Sequence, residues 1–177
     1  MNPEEIFETY YDKIYSFTLL RVGNVHDAED IACNVFLKVV EKLHTYNSSI
    51  AAFSTWIFTI TLNEIRMYYR RRKPVCSLDD INELANQLDI EENILRHEER
   101  TTLLKALDKL DEKRKSIILL KYFADFSDRQ IAEALGLSEK NVGVILSRTK
   151  KALRDTLIRY SDSSFPAHKD AGNVKAI

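Results

Sequence analysis

The stretch Ser127–Asp155, SDRQIAEALGLSEKNVGVILSRTKKALRD, decides the fold. Ser127 and Ser138 each stand where a short helix can begin, because a hydroxyl accepts a bond from an orphan backbone N–H of the first turn. Glu139 and Lys140 follow Ser138, so a complete capping box is not expected there. Ala132 is small where two helices must cross closely. Gly136 is suited to the tight turn between them, at positive φ. Val142, Ile145, Leu146 and Leu153 recur at helical spacing and are expected to anchor the second helix on the first. The other face then shows Asn141, Val144, Ser147, Arg148, Lys151 and Arg154. Two helices, a three- or four-residue turn and a basic outer face match a helix-turn-helix. A helical hairpin with a solvated lysine face is the plainer alternative. It gives no reason for the small residue, the glycine and the apolar anchor falling together at this spacing.

Outward from this stretch, the chain supports an all-α reading. Only 4 Gly and 3 Pro occur in 177 residues, too few to punctuate many short strands. Hydrophobic residues make up 45% and charged residues 30%, enough for packed cores. Ile6, Phe7, Tyr10, Ile14, Phe17 and Leu20 have helical spacing, broken by Gly23-Asn24. A second helix is expected over Asp27–His44, burying Ile31, Val35, Phe36, Val39, Val40 and Leu43. The run Thr45–Ser49 reads as a turn, and a third helix spans about Phe53 to Arg72, stopped by Pro74. Beyond an acidic connector, Leu103, Leu104, Leu107 and Leu110 make one helical face. Ile117, Ile118, Leu120 and Tyr122 belong to another helix after DEKRK. The expected fold class is two small helical domains joined by an acidic linker, the second carrying the helix-turn-helix. The boundaries are 1–74, 75–94 for the linker and 95–160, with a disordered tail over 161–177.

The net charge of −1 hides a strong pattern. Arg66–Lys73 and Lys140–Arg159 are basic, whereas Asp79–Glu99 is acidic. In the third helix, Trp56, Thr59, Asn63, Arg66 and Arg70 fall on one side at steps of 3, 4, 3 and 4. Ile57, Phe58, Leu62, Ile65, Tyr68 and Tyr69 fall on the other. A ring and arginines along one groove can hold an unpaired nucleic-acid strand, the ring stacking on a base and the guanidinium groups tracking phosphates. An asparagine amide can read a base edge. Taken singly, Trp56 is more simply a core residue, and the run Arg70, Arg71, Arg72, Lys73 a solvated last turn favoured by the helix dipole. Beside a helix-turn-helix, the nucleic-acid reading gains weight. One unit for duplex and one for a single strand suggest a protein that positions duplex and helps open it.

Other classes fit poorly. His26, His44, His97 and His168 are scattered without metal-ligand spacing. No nucleophile–base signature or glycine-rich phosphate loop occurs, so neither an enzyme nor a cofactor is indicated. Cys33 and Cys76 lie in no metal or redox motif, and free thiols in a reducing cytosol are expected. No apolar run approaches a membrane span, and the amphipathic N-terminus is not a secretory signal.

The sequence resembles the extracytoplasmic-function class of bacterial sigma-70 RNA polymerase sigma factors over nearly all of residues 1–160. DAEDIACNVFLKVVEKLHTY (Asp27–Tyr46) is similar to that family's helix that docks on the polymerase clamp. FSTWIFTITLNEIRMYYRRRK (Phe53–Lys73) is similar to its strand-opening, minus-ten-reading helix. Leu107–Arg154 is similar to its domain that reads the minus-thirty-five element. The resemblance implies a cytoplasmic initiation factor that binds core polymerase through Asp30, Asn34, Leu37 and Lys38. It implies minus-ten contacts by Trp56, Asn63, Arg66, Arg70, Arg71 and Arg72, with a flipped base received at Asn63 and the Tyr46–Phe53 loop. It implies minus-thirty-five contacts by Lys140, Asn141, Ser147, Arg148, Lys150 and Lys151. The acidic linker would mimic nucleic acid in the polymerase channel, and an anti-sigma factor would be a further partner. The chain departs from the family pattern at Cys33, where Gln is common, and at Gly143 and Ile145, where basic residues are usual. Weak duplex binding without polymerase is therefore expected. Two rivals are an ordinary helix-turn-helix regulator, which leaves Trp56, Asn63 and the arginine run unexplained, and an interaction scaffold that has lost DNA binding.

Overall fold

The computed structural model describes residues 2–71 and 94–164, with 94–98 and 161–164 described as backbone only. The chain forms α1 (Pro3–Val22), α2 (Val25–Lys42), a 3₁₀ turn (Leu43–Thr45), α3 (Phe53–Arg71), α4 (Ile94–Asp108), α5 (Glu112–Tyr122), α6 (Asp128–Leu135) and α7 (Glu139–Ser164). No strand occurs among the described residues. The linker, Arg72, Cys76 and the chain beyond Ser164 lie outside them.

Local chemistry sets the helix ends. Asn2 opens α1 with a full capping box: its Oδ1 accepts from the Glu5 N–H at 2.8 Å, and the Glu5 carboxylate accepts from the Asn2 N–H at 3.0 Å. Gly23, at φ 71°, closes α1 in the left-handed region. Asn24 then caps α2 through the Asp27 N–H, which moves the start of α2 two residues ahead of the expected Asp27. Asp111 caps α5 through the Arg114 N–H. Hence α5 begins at Glu112, and the charged run DEKRK is its first turn rather than its approach. Ser127 and Gln130 form the capping box of α6. Gly136, at φ 67°, makes the expected turn into α7, where Ser138 Oγ accepts from the Asn141 N–H at 3.3 Å. With no Gly or Pro between Gly143 and Pro166, α7 continues four residues into the expected tail.

The helices α1, α2 and α3 pack mutually, burying Ile6, Ile14, Phe17, Ile31, Val35, Ile57, Leu62 and Ile65. Fully burying one such side chain contributes about 1.5–3 kcal/mol. Thr18 and Thr61 are tolerated in this core because each hydroxyl donates to the carbonyl four residues back. Several residues expected inside lie outside: Phe7, Val40, Leu103 and Tyr122 are exposed. Phe7 still meets Phe36 of α2 at 5.0 Å, and Tyr122 lies beneath Lys150 of α7, but each leaves much of its side chain at the surface. In the second half, α5, α6 and α7 close around Ile117, Leu120, Ile131, Val142 and Leu146.

The two halves are also packed on each other, which helical periodicity does not foresee. Helix α3 lies against α6, and α1 against α5. The rings of Phe17 and Phe58 from the first half meet Phe126 and Phe123 from the second: Phe17–Phe58 and Phe58–Phe126 are each 5.1 Å apart, and Phe17–Phe123 is 6.5 Å apart. Among the described residues no helix is long and apolar enough to cross a membrane.

The two glycines of the helix-turn-helix predict opposite effects. A Cβ added to Gly143 would meet Asp128 Oδ2 at 3.9 Å, an ordinary contact. Gly143→Ala is therefore expected to raise stability by about 1 kcal/mol. A Cβ at Gly136 meets nothing within 4 Å, but the backbone is left-handed. Gly136→Ala is expected to lower stability by about 1–2 kcal/mol. Thermal unfolding followed by circular dichroism reads both as shifts of a few degrees in opposite directions.

Candidate nucleic-acid interface

Helix α3 begins in an aromatic cluster. The Trp56 ring lies 5.3 Å from both Tyr46 and Phe53, and the Tyr46 and Phe53 rings meet edge to face at 5.0 Å. Tyr46 donates its hydroxyl to the Ala51 carbonyl at 3.1 Å, tying down the loop before α3. An Asx turn, Ser49 N–H to Asn47 Oδ1 at 2.9 Å, shapes the tip of that loop. Ile50 beside it is 79% exposed. Trp56 is thus half-buried, not the free ring its helical position suggests, because the loop folds back on it. Part of the side chain still reaches the surface.

Further along the same face the polar groups are open. Asn63 is exposed, and its Oδ1 accepts from Arg66 Nη1 at 2.9 Å. That bond leaves the Asn63 amide N–H groups available and turns the Arg66 guanidinium toward the same surface. Arg70 and Arg71 are exposed, Arg70 lying along Met67. Trp56, Asn63, Arg66 and Arg70 therefore share one face as expected. Arg72 lies outside the described residues.

On α2, Asp30, Asn34 and Leu37 are exposed, Leu37 by 62%. Val40 and Cys33 join them, giving an apolar-centred face that no other helix covers among the described residues. Lys38 differs. Its ammonium is paired with the Glu64 carboxylate of α3, itself largely buried, so this lysine ties α2 to α3. A helix-surface reading cannot see such a pairing, since the partner is 26 residues away.

In the helix-turn-helix, Lys140, Asn141, Ser147, Arg148 and Lys151 are all exposed on α7, away from buried Val142, Leu146 and Thr149. Lys150 departs from this set. Its ammonium lies over the Tyr122 ring of α5, 5.8 Å from the centroid. At 100° per residue it sits on the flank, about 100° from Lys151. Lys121 Nζ donates to Asp128 Oδ1 at 2.7 Å, and this bond raises the Lys121 pKa and fixes α6 on α5.

The residue that sequence reasoning missed is Arg21. It falls inside an apolar helix stretch, is 4% exposed and reaches across to the second half. Its Nη1 donates to the Glu112 carbonyl at 2.9 Å and to Ser116 Oγ at 2.7 Å, and its Nη2 pairs with the Glu112 carboxylate. Burial lowers its pKa. The Arg21 carbonyl accepts from the Tyr69 hydroxyl, whose pKa burial pushes well up, and from buried Lys115 at 3.5 Å. An arginine in an otherwise apolar turn was the one available signal.

Residues 6–75 match the family model described as sigma-70 region 2, and residues 100–153 match sigma-70, region 4. The chain is 30% identical over 154 residues to the ECF RNA polymerase sigma factor RpoE of Cereibacter sphaeroides, covering 84% of this chain and 81% of that one. It is 29% identical over 164 residues to the ECF RNA polymerase sigma factor SigW of Bacillus subtilis, covering 86% and 87%. Its fold is similar to the sigma factor RpoE of Bartonella quintana, solved with the anti-sigma factor NepR (TM-score 0.68, 19% identity, 88% and 96% covered). It is also similar to CnrH, solved with the cytosolic domain of CnrY (TM-score 0.65, 21% identity, 92% and 89% covered).

Trp56 is the chain's single tryptophan, so its emission reports this face alone. Titration with a single-stranded oligonucleotide is expected to quench and shift that emission, and Trp56→Phe to retain more affinity than Trp56→Ala. Base stacking is worth about 1–3 kcal/mol, and the half-covered ring points to the lower part of that range. Unchanged emission at saturation would remove Trp56 from the interface.

Proposed function

The chain belongs to the extracytoplasmic-function class of sigma-70 RNA polymerase sigma factors, and from that premise we propose how its own residues divide the work of recognising a promoter and starting transcription. Its partners are core RNA polymerase and promoter DNA, and in our reading also an anti-sigma factor. It acts in the cytoplasm as a regulatory factor without catalysis of its own.

Residues 1–74 form the polymerase-binding and minus-ten domain. The exposed α2 face of Asp30, Asn34 and Leu37 docks on polymerase, and Lys38 supports it by holding α2 on α3 through Glu64. Asn63 reads a base flipped out of the non-template strand beside the Tyr46–Phe53 loop. Flipping costs a few kcal/mol of unstacking, which the pocket contacts must offset. Trp56 stacks, while Arg66, Arg70, Arg71 and Arg72 hold adjacent phosphates. Residues 75–94 are the acidic linker that occupies the polymerase channel. Residues 95–160 set α7 in the major groove at the minus-thirty-five element. Lys140, Asn141, Ser147, Arg148 and Lys151 face DNA there. Lys150, held over Tyr122, borders that surface and contributes mainly long-range attraction.

The observation that carries this reading is the exposed amide and guanidinium groups of Asn63, Arg66 and Arg70 on one helix whose opposite side is core, in the same chain as a basic recognition helix. Reconstitution with core polymerase, followed by sequencing of the transcripts it starts, tests it as a whole.

At the level of residues, Asn63→Ala and Arg70→Glu are expected to reduce open-complex yield severalfold while polymerase affinity stays near wild type. Permanganate footprinting and a binding assay separate the two, and wild-type opening from both variants would reject this face. Lys151→Glu is expected to lower initiation at promoters that need an upstream element. That defect should shrink as salt rises, because phosphate contacts weaken with counterion concentration. A fall in polymerase affinity alone would reassign α7.

A further inference from the structure

We propose that Val144 is a specificity-determining residue of α7: its methyl groups read the C5 methyl of one thymine in the minus-thirty-five element. The inference rests on the assignment of α7 to that element and names a base pair that the helix selects.

The place of Val144 on the helix carries the argument. Val142, Leu146 and Thr149 are buried and mark the inward direction of α7. At 100° per residue, Val144 points within about 15° of directly outward. Its neighbours three and four residues away on either side are Lys140, Asn141, Ser147 and Arg148, each polar and exposed. Val144 is 41% exposed at the middle of this polar ring. Gly143 and half-buried Ile145, next to it in the chain, place no long polar side chain across it.

Packing gives no reason for a valine here, since α7 is anchored from its opposite side. Helix propensity gives none either, because a branched Cβ lowers it slightly. A lone exposed valine is ordinary on an arbitrary surface. This one occupies the centre of the face that enters the groove.

The major groove supplies the matching chemistry. Each base pair shows a distinct edge there, and the apolar group on those edges is the thymine C5 methyl. Asparagine pairs with adenine and arginine with guanine through two hydrogen bonds each. Valine can make no such bond. Set against the cytosine amino group or the guanine carbonyl, it would strip water from a polar atom and return nothing. Set against thymine, it buries methyl on methyl. Register narrows the position. Asn141 and Arg148 are separated by about 10.5 Å along the helix axis, close to three base-pair steps of about 3.4 Å. The thymine therefore lies between the bases that these two residues meet, one or two pairs from each.

The test uses holoenzyme formed from the full chain and core polymerase, on a promoter located by its transcript starts. Each thymine of the minus-thirty-five element is replaced in turn by deoxyuridine, which removes the C5 methyl and nothing else. For wild type, one position is expected to lose affinity about fourfold, the effect of one buried methyl. Val144→Ala is expected to lose a similar factor on the unmodified promoter and nothing further when that thymine becomes deoxyuridine. Val144→Arg is expected to change the pair selected at that position from T·A to G·C in a library randomised across the element, with the flanking preferences retained. Circular dichroism should show wild-type helicity for both variants, because the site is at the surface. A flat deoxyuridine scan, an undiminished deoxyuridine effect in Val144→Ala, or an unchanged preference in Val144→Arg would overturn the role of Val144. Lys151→Glu, measured alongside, keeps the two readings apart. If it weakens promoter binding while the scan is flat, the Val144 inference alone fails; if neither changes binding, the assignment of α7 fails first.

Discussion

A buried guanidinium organises this molecule. Arg21 sits at the end of an apolar helix, where it has almost no access to water, and its bonding capacity is met chiefly by the first turn of α5. A charge removed from solvent is costly unless it is paired and hydrogen-bonded. The first half of the chain, folded alone with this surface open, would hydrate Arg21; packed on the second half, it gives up that water for Glu112 and Ser116. The net value of such an exchange is modest, because desolvation opposes the attraction and Glu112 remains half exposed. What the exchange does set is register. Few other placements of α5 on α1 would satisfy the same arginine.

Around this contact, α3 serves three surfaces at once. Ile57, Leu62 and Ile65 enter the core shared with α1 and α2. Phe58 turns toward the second half through the Phe126 ring, and Tyr69 ties α3 to the end of α1 through the Arg21 carbonyl. Asn63, Arg66 and Arg70 remain at the surface. A helix with aromatic residues on most of its circumference and arginines on the rest fits neither a core nor a solvated element alone. It is consistent once its rings are shared between two packing partners and its cations face a polyanion. The same helix then couples recognition to domain packing, because Arg66 and Arg70 border both the strand face and the seam.

The second half shows how little regular packing a recognition helix needs. Val142 and Leu146 are its fully anchored residues, with Thr149 held by a bond to the Ile145 carbonyl. Gly143 and Ile145, which replace the family's usual basic residues, lie on or near the packed side and are half-buried. The loss of charge there therefore removes little from the outer face, where Lys140, Arg148 and Lys151 remain exposed.

Local signals in the sequence determined the helices and their faces. Ser127, Ser138 and Gly136 mark ends through single hydrogen bonds and one backbone conformation, and these depend on residues no more than a few positions apart. Helical spacing likewise identified the outward faces of α3 and α7, because a 100° step is a property of the backbone alone. What only the tertiary structure decided were pairings between residues distant in sequence: Lys38 with Glu64, Lys150 over Tyr122, the loop covering one side of Trp56, and Arg21 with Glu112. A charge at helical spacing looks the same whether it meets water, DNA or a carboxylate ninety residues away. The choice among these is made by which surfaces the packed helices bring together.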